Sequence, residues 1–156
     1  DYDPYLKGLT QNGFTDDISV YIHNPIRTDD TYAPKGHSSL FLLVPVPNLT
    51  AEVDWTTYRE HLKEVTLDLI EKRHNIDLRN HIKALHMIDP TEWKNDFNVY
   101  QGAVFNIAHN LPQMLNRRPQ NRFEEIKHMY LVGGGAHPGS GLPTIYQSAL
   151  ILDHYL

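Results

Sequence analysis

The strongest chemical signal in the chain is the run Gly133-Gly134-Gly135-Ala136-His137-Pro138-Gly139-Ser140-Gly141-Leu142-Pro143, which concentrates five of the nine glycines in eleven residues. The segment His128–Val132 before it suits a short strand, and Ile145, Ala149, Leu150 and Ile151 behind it recur at helical spacing. A strand running through glycines into a helix has two assets. Glycine lets main chain approach a ligand closely, and the helix N-terminus offers unpaired N–H groups with partial positive charge. Anionic or electron-rich ligand atoms belong there. Pro143 fits the first helical turn, where its missing donor costs nothing, so the helix should start near Leu142–Pro143. The spacing matches neither G-x-G-x-x-G nor a Gly-Lys-Ser/Thr phosphate loop, so a nucleotide would be gripped mainly elsewhere. The competing use of the same residues is a tight strand-to-helix corner with no ligand. His137 is the titratable side chain inside the turn, and it suits either a polarising catalytic role or a hydrogen-bonded structural one.

Other chemistries are narrowed by elimination. With no cysteine in 156 residues, disulfides, thiolate metal sites and a Cys nucleophile are excluded. Fourteen Lys and Arg against nineteen Asp and Glu leave a net charge of −5, which gives no basic surplus for a nucleic-acid backbone. No nucleic-acid partner is expected. Ten histidines contain no H-E-x-x-H or H-x-x-x-H, and His81 and His86 stand five apart, so no metal site is expected. Spacing alone argues no Ser-His-Asp arrangement. Arg27, in an aspartate-flanked loop, could bind a carboxylate or cover a substrate mouth, although a loop ion pair is the simpler use. Glu60, Lys63 and Glu64 read as a solvated helix face.

The elements that position these residues are those of one ordinary globular length, 40% hydrophobic and 21% charged. Ile18–Ile22 and Ser39–Val44 read as neighbouring antiparallel strands, with Pro45 and Pro47 ending the second. Asp54 is a fair N-cap for an amphipathic helix of about five turns with Trp55, Tyr58, Leu62, Val65, Leu69 and Ile70 on one side. His81–Ile88 alternates loosely, as a strand would. Asp89-Pro90 opens a short helix, with Asp89 as its cap, and Asn110–Glu125 reads mostly as loop. The longest apolar runs, such as Leu40–Val44, are far short of a membrane span. The start at Asp1-Tyr2-Asp3-Pro4, and the end at Leu156 inside a helix-period stretch, give the look of a piece cut from a longer protein.

The segment Tyr130–Ala149 resembles the C-terminal signature of bacterial-type phytoene desaturases, FAD-dependent carotenoid desaturases of the flavin amine-oxidase superfamily. Ser19–Asp29, Ala33–His37 and Leu43–Asn48 are similar to the same family in the same order, as are Asn95–Phe105 and Arg118-Pro119-Gln120-Asn121. Ala136 departs from the threonine commoner there, and Ile107-Ala108-His109-Asn110 differs from several relatives in a region expected to face substrate.

The resemblance implies an α+β piece of an α/β FAD-binding fold. Residues 1–110 would belong to the substrate-binding domain, 111–128 would connect, and 129–156 would be the closing strand, glycine turn and helix of the FAD-binding domain. It implies an oxidoreductase acting on CH–CH bonds of a phytoene-like hydrocarbon, cytoplasmic or resting on the membrane surface, with the isolated chain inactive. Gly134, Gly135, Gly141, Leu142 and Pro143 would contact FAD, His137 would be the catalytic candidate, and Tyr100, Val104 and Phe105 would line the substrate tunnel or else pack a core. Two rival functions share parts of this pattern: a related carotenoid isomerase or retinol saturase-like flavoenzyme, and a non-catalytic binding domain whose glycine turn is structural.

Overall fold

The computed structural model describes residues 16–156, and the Asp1–Pro4 start lies outside them. The chain is a mixed α+β structure that divides into two compact units, Asp1–Asp89 and Pro90–Leu156.

In the first unit, β1 (Tyr21–His23) and β2 (Phe41–Leu43) pair antiparallel, with Tyr21 opposite Leu43 and His23 opposite Phe41. Both are three residues long: β2 lies inside the expected Ser39–Val44, whereas β1 overlaps the expected Ile18–Ile22 only at Tyr21 and Ile22 and extends one residue past it to His23. Pro45 follows β2 closely and cannot donate to a ladder. The pair is exposed on its β1 strand, where Tyr21 and Phe41 meet edge to face at 6.5 Å. Arg27 lies exposed in a 3-10 turn (Pro25–Arg27) and makes no ion pair among the described residues. The neighbouring Asp29 instead accepts from the Thr31 N–H and hydroxyl, at 2.9 and 2.7 Å.

The long helix α1 (Trp55–His74) is capped as expected. The Asp54 carboxylate accepts from the Thr56 N–H at 3.0 Å and from the hydroxyls of Thr56 and Thr57. Asn75, with φ of 52°, closes the other end in a left-handed C-cap. Trp55, Leu62, Leu67 and Ile70 are buried along one side, so the stripe runs as the apolar spacing requires, with Leu67 added and Tyr58, Val65 and Leu69 at its margins.

The opposite face exposes Glu60, Glu64 and Asp68, as expected of a solvated surface, but these are not all independent charges. Arg79 reaches back to it, pairing with Asp68 at 2.6 Å, with Glu64 at 2.9 Å and with Glu71. The backbone N–H of Arg79 also donates to Glu71 Oε1 at 2.8 Å. The segment His81–Ile88 forms no strand. It leaves a 3-10 turn at Arg79–His81 and is held by side chains: Arg59 donates to the Met87 carbonyl and pairs with the buried Asp89 at 3.1 Å. Apolar alternation without a neighbouring strand leaves its backbone no ladder to join.

In the second unit, α2 (Pro90–Phe97) begins at the expected proline, and α3 (Leu142–Asp153) at the expected Leu142–Pro143. Gly102 packs directly on α2. Its φ is +63°, and a Cβ there would stand 2.2 Å from the Pro90 carbonyl oxygen, so only glycine fits. Residues 90–110 thus fold in the same compact unit as the glycine turn. Residues 110–125 carry two 3-10 turns, Leu111–Gln113 and Leu115–Arg117, and are otherwise irregular. The expected closing strand His128–Val132 does not form. Its one bridge joins Tyr130 to Arg122, with Phe123 N donating to Met129 O at 3.0 Å and Leu131 N to Asn121 O at 2.8 Å. The residue types suit a strand, but among the described residues no further segment lies alongside to continue the ladder.

No helix among the described residues is long and apolar enough to cross a membrane.

Candidate functional site

The glycine turn is shaped by three buried polar side chains, Arg118, Asn121 and Ser148. Irregular backbone carries donors and acceptors that no helix or ladder satisfies, so side chains must supply the partners. Asn121, 1% exposed, places its amide nitrogen 3.0 Å from the carbonyls of Leu131 and His137, on either side of Gly133–Gly135, and 2.8 Å from Ser148 Oγ. Ser148, fully buried on α3, also accepts from the Gly133 N–H at 3.3 Å. One amide and one hydroxyl therefore tie together the approach to the turn, its middle at His137 and the helix that follows.

Arg118, 3% exposed, donates through Nη1 to the Gly134 carbonyl at 2.9 Å and through Nη2 to the Ile107 carbonyl at 3.2 Å. A guanidinium keeps its charge at all working pH, and its fork suits two carbonyls at once. Arg118, Asn121 and Ser148 lie in stretches similar to the desaturases, but their residue types and spacing assign them no role. The available signal was two strong hydrogen-bonding side chains, Arg118 and Asn121, three residues apart around Pro119-Gln120 in a segment with no regular structure of its own.

The turn doubles back so that residues 134 and 140 adjoin: a side chain at 134 would meet Ser140 Cβ at 3.2 Å. Gly135 lies beside Asn106. Gly141 is the N-cap of α3 with φ of +98°, a conformation that side-chain-bearing residues avoid, and it offers no capping side chain. Leu142 and Pro143 follow it, both exposed. Thus Gly141, Leu142 and Pro143 form an open helix start, with Ile145 N already committed to the Gly141 carbonyl and no side chain covering the earlier N–H groups. Gly134 and Gly135 lie on the inner leg, which is folded against Ser140 and Asn106.

His137 is half-buried. Its backbone N–H donates to Pro119 O at 2.8 Å, and Nδ1 lies 3.0 Å from the Leu115 carbonyl. A carbonyl only accepts, so Nδ1 is the donor in this bond, and in a neutral ring Nε2 is the nitrogen with the lone pair.

Tyr100 is 84% exposed, Phe105 61% and Val104 44%, so these three do not pack a core among the described residues. They precede the Asn106–His109 segment, which runs along the turn: Asn106 beside Gly135, Ile107 O on Arg118, and His109 Nε2 sharing a hydrogen bond with Ser140 Oγ. A serine and a histidine thus meet, a pairing that residue spacing did not reveal, but no carboxylate among the described residues orients the histidine into a triad.

A 4,4'-diapophytoene desaturase (4,4'-diapolycopene-forming) of Methylomonas sp is 46% identical over 97% of the chain. The chain belongs to the bacterial-type carotenoid desaturase family. Other members are similar over most of it: a phytoene desaturase (lycopene-forming) of Pantoea ananas, 37% identical over 90%, and a phytoene desaturase (neurosporene-forming) of Rhodobacter capsulatus, 35% identical over 94%. The chain spans about 30%, 29% and 28% of the length of these three desaturases. No protein-family model matches the chain.

Proposed function

We propose that this chain is the C-terminal part of an FAD-dependent carotenoid desaturase, and that its glycine turn and the start of α3 hold the flavin while Tyr100, Val104 and Phe105 contact the polyene. The observation that carries the reading is the helix start at Gly141–Pro143, open and uncapped, at the end of a glycine turn whose inner leg is tied at Gly133, Gly134 and His137 by buried Ser148, Arg118 and Asn121. Such a start suits a flat ligand whose edge carries carbonyl acceptors and gains negative charge on reduction. Gly134 and Gly135 form the adjoining leg, Gly141 and Leu142 supply close backbone, and Pro143 starts the helix without adding a donor. Bound FAD supplies the hydride acceptor for a C–H bond beside the polyene, with a proton lost from the neighbouring carbon.

The chain's own residues orient and exclude water. A phytoene-like hydrocarbon has no polar handle, so it binds by apolar area at about 25 cal/mol per Å² removed from water. The exposed Tyr100, Val104 and Phe105 supply such area within the same compact unit as the turn. His137 is first a brace, through its bonds to Leu115 and Pro119, and its Nε2 is the atom left to accept the departing proton. The family's names for its members favour desaturation over the isomerase and saturase alternatives, and the open helix start favours a ligand over a purely structural corner. On the same proposal the enzyme is cytoplasmic and touches the membrane surface, because a hydrocarbon substrate of this kind is insoluble in water.

Leu142→Asp in the longer protein tests the flavin site without straining it. A carboxylate at the first helical position favours the helix dipole, so the apoprotein keeps or gains thermal stability. The same charge opposes the electron-rich edge of the flavin. The expected result is a severalfold loss of flavin absorbance per protein with melting unchanged or raised, together with slower lengthening of the phytoene chromophore; full flavin occupancy would refute the placement.

A further inference from the structure

Resting on the desaturase reading, we propose that the His109–Ser140 hydrogen bond is a latch that sets where residues 104–109 lie against the glycine turn, and thereby how many double bonds the enzyme introduces. Residues 103–110 have no helix or strand of their own, and Asn106 takes a left-handed φ of 60°. Their position therefore depends on individual ties. The Arg118 fork grips the Ile107 and Gly134 carbonyls, which every sequence possesses, so it fixes the segment without encoding a choice. His109 Nε2 to Ser140 Oγ joins side chain to side chain, and it does so at the exposed end of the segment. It is the tie that substitution can lengthen, shorten or remove.

Exposed Val104 and Phe105 precede this tie by four or five residues. A polyene offers no polar group to fix its register, so a small shift of its apolar wall changes which C–H bond reaches the reacting position. The related desaturases carry names with different products, diapolycopene, lycopene and neurosporene, so extent of reaction varies on a shared framework. His109 acts here as a positioning residue through Ser140 and makes no contact with reacting atoms.

The test compares His109→Ala, Ser140→Ala, the double variant and His109→Gln in the flavin-loaded full-length protein, with phytoene and 4,4'-diapophytoene as substrates. Products are resolved by chromatography and visible spectra, alongside KM and kcat. Gln places an amide nitrogen near the position of His Nε2 and should restore the tie. The expected result is a product ratio shifted about three- to tenfold in both alanine variants, the range one hydrogen bond supports. The double variant should go no further than either single, and His109→Gln should return to the wild-type ratio with KM and flavin content preserved. Unchanged product ratios in His109→Ala, additive shifts in the double variant, or a Gln variant that behaves like Ala would each overturn the latch. A wild-type protein that binds flavin but lengthens neither substrate would instead overturn the desaturase reading itself.

Discussion

The two compact units are held together by opposite means. Buried side chains in the first are mainly apolar, Ala51, Trp55, Leu62, Leu67 and Ile70, gathered on and before one long helix. In the second the buried side chains include Arg118, Asn121 and Ser148, with Ala136 and Pro90 as apolar members among the described residues. A regular helix satisfies its own backbone and needs only something apolar to lie on. A turn meant to present bare main chain cannot do that, so polar side chains must reach in and hold each carbonyl. The first unit is shaped by burial and the second by hydrogen-bond geometry, and the segment proposed to meet the flavin belongs to the second.

The comparison breaks most readily at Asn121. Asn121→Asp preserves size but turns carboxylate oxygens toward the carbonyls of Leu131 and His137, where the amide had donated. Each buried carbonyl left unpaired costs about 1–3 kcal/mol, and an uncompensated buried charge adds more. We expect more than about 4 kcal/mol lost in denaturant titration, or loss of flavin retention if the turn opens while the rest stays folded. In the first unit the matching change is Leu62→Ala, which removes a side chain 3% exposed in the α1 stripe. Its cost should be about 2–4 kcal/mol by denaturant midpoint, with flavin content unchanged. A Leu62 variant that lost flavin as readily as the Asn121 variant would erase the distinction between the two units.

The same contrast explains what could be read from residue types alone. Asp54 as cap, the Trp55–Leu62–Ile70 stripe, the proline-opened α2 and the α3 start at Leu142–Pro143 are local patterns, and the structure carries each of them. Strand pairing is not local. Tyr21–His23 finds Phe41–Leu43, whereas His128–Val132 and His81–Ile88 have suitable residues and no ladder among the described residues. The glycine-rich turn was legible because glycine has few other reasons to cluster. Its supports were not, because Asn121 and Ser148 are 27 residues apart and nothing in either residue's type foretells their 2.8 Å contact. Likewise His109 meets Ser140 across 31 residues, and the Arg79 fan onto Glu64, Asp68 and Glu71 makes a clasp from what reads as an ordinary charged surface.

Acid offers the gentlest way to separate the units. The hydroxyls of Thr56 and Thr57 and the Thr56 N–H hold the Asp54 carboxyl below its ordinary range. For Glu71, the backbone N–H of Arg79 is the main cause of a similar lowering, opposed by burial and assisted by the guanidinium. A carboxyl whose folded pKa lies below its unfolded one binds its proton more readily in the unfolded chain. Its stabilisation is therefore complete above the unfolded value, about pH 4, and is lost as pH falls through the lower folded value. Asn121, Ser148 and the carbonyls they hold carry no titratable group. Between pH 6 and pH 3, hydrogen exchange should therefore speed up first at the start of α1 and around Arg79, while the amides of Leu131, Gly133 and His137 stay protected. Asp54→Asn supplies a cap that cannot titrate and should remove the acid sensitivity of that first turn without lowering its protection at pH 6. If the Leu131, Gly133 and His137 amides open as early as α1 does, the polar brace draws on the same carboxylates as the helix, and the division between the two units falls.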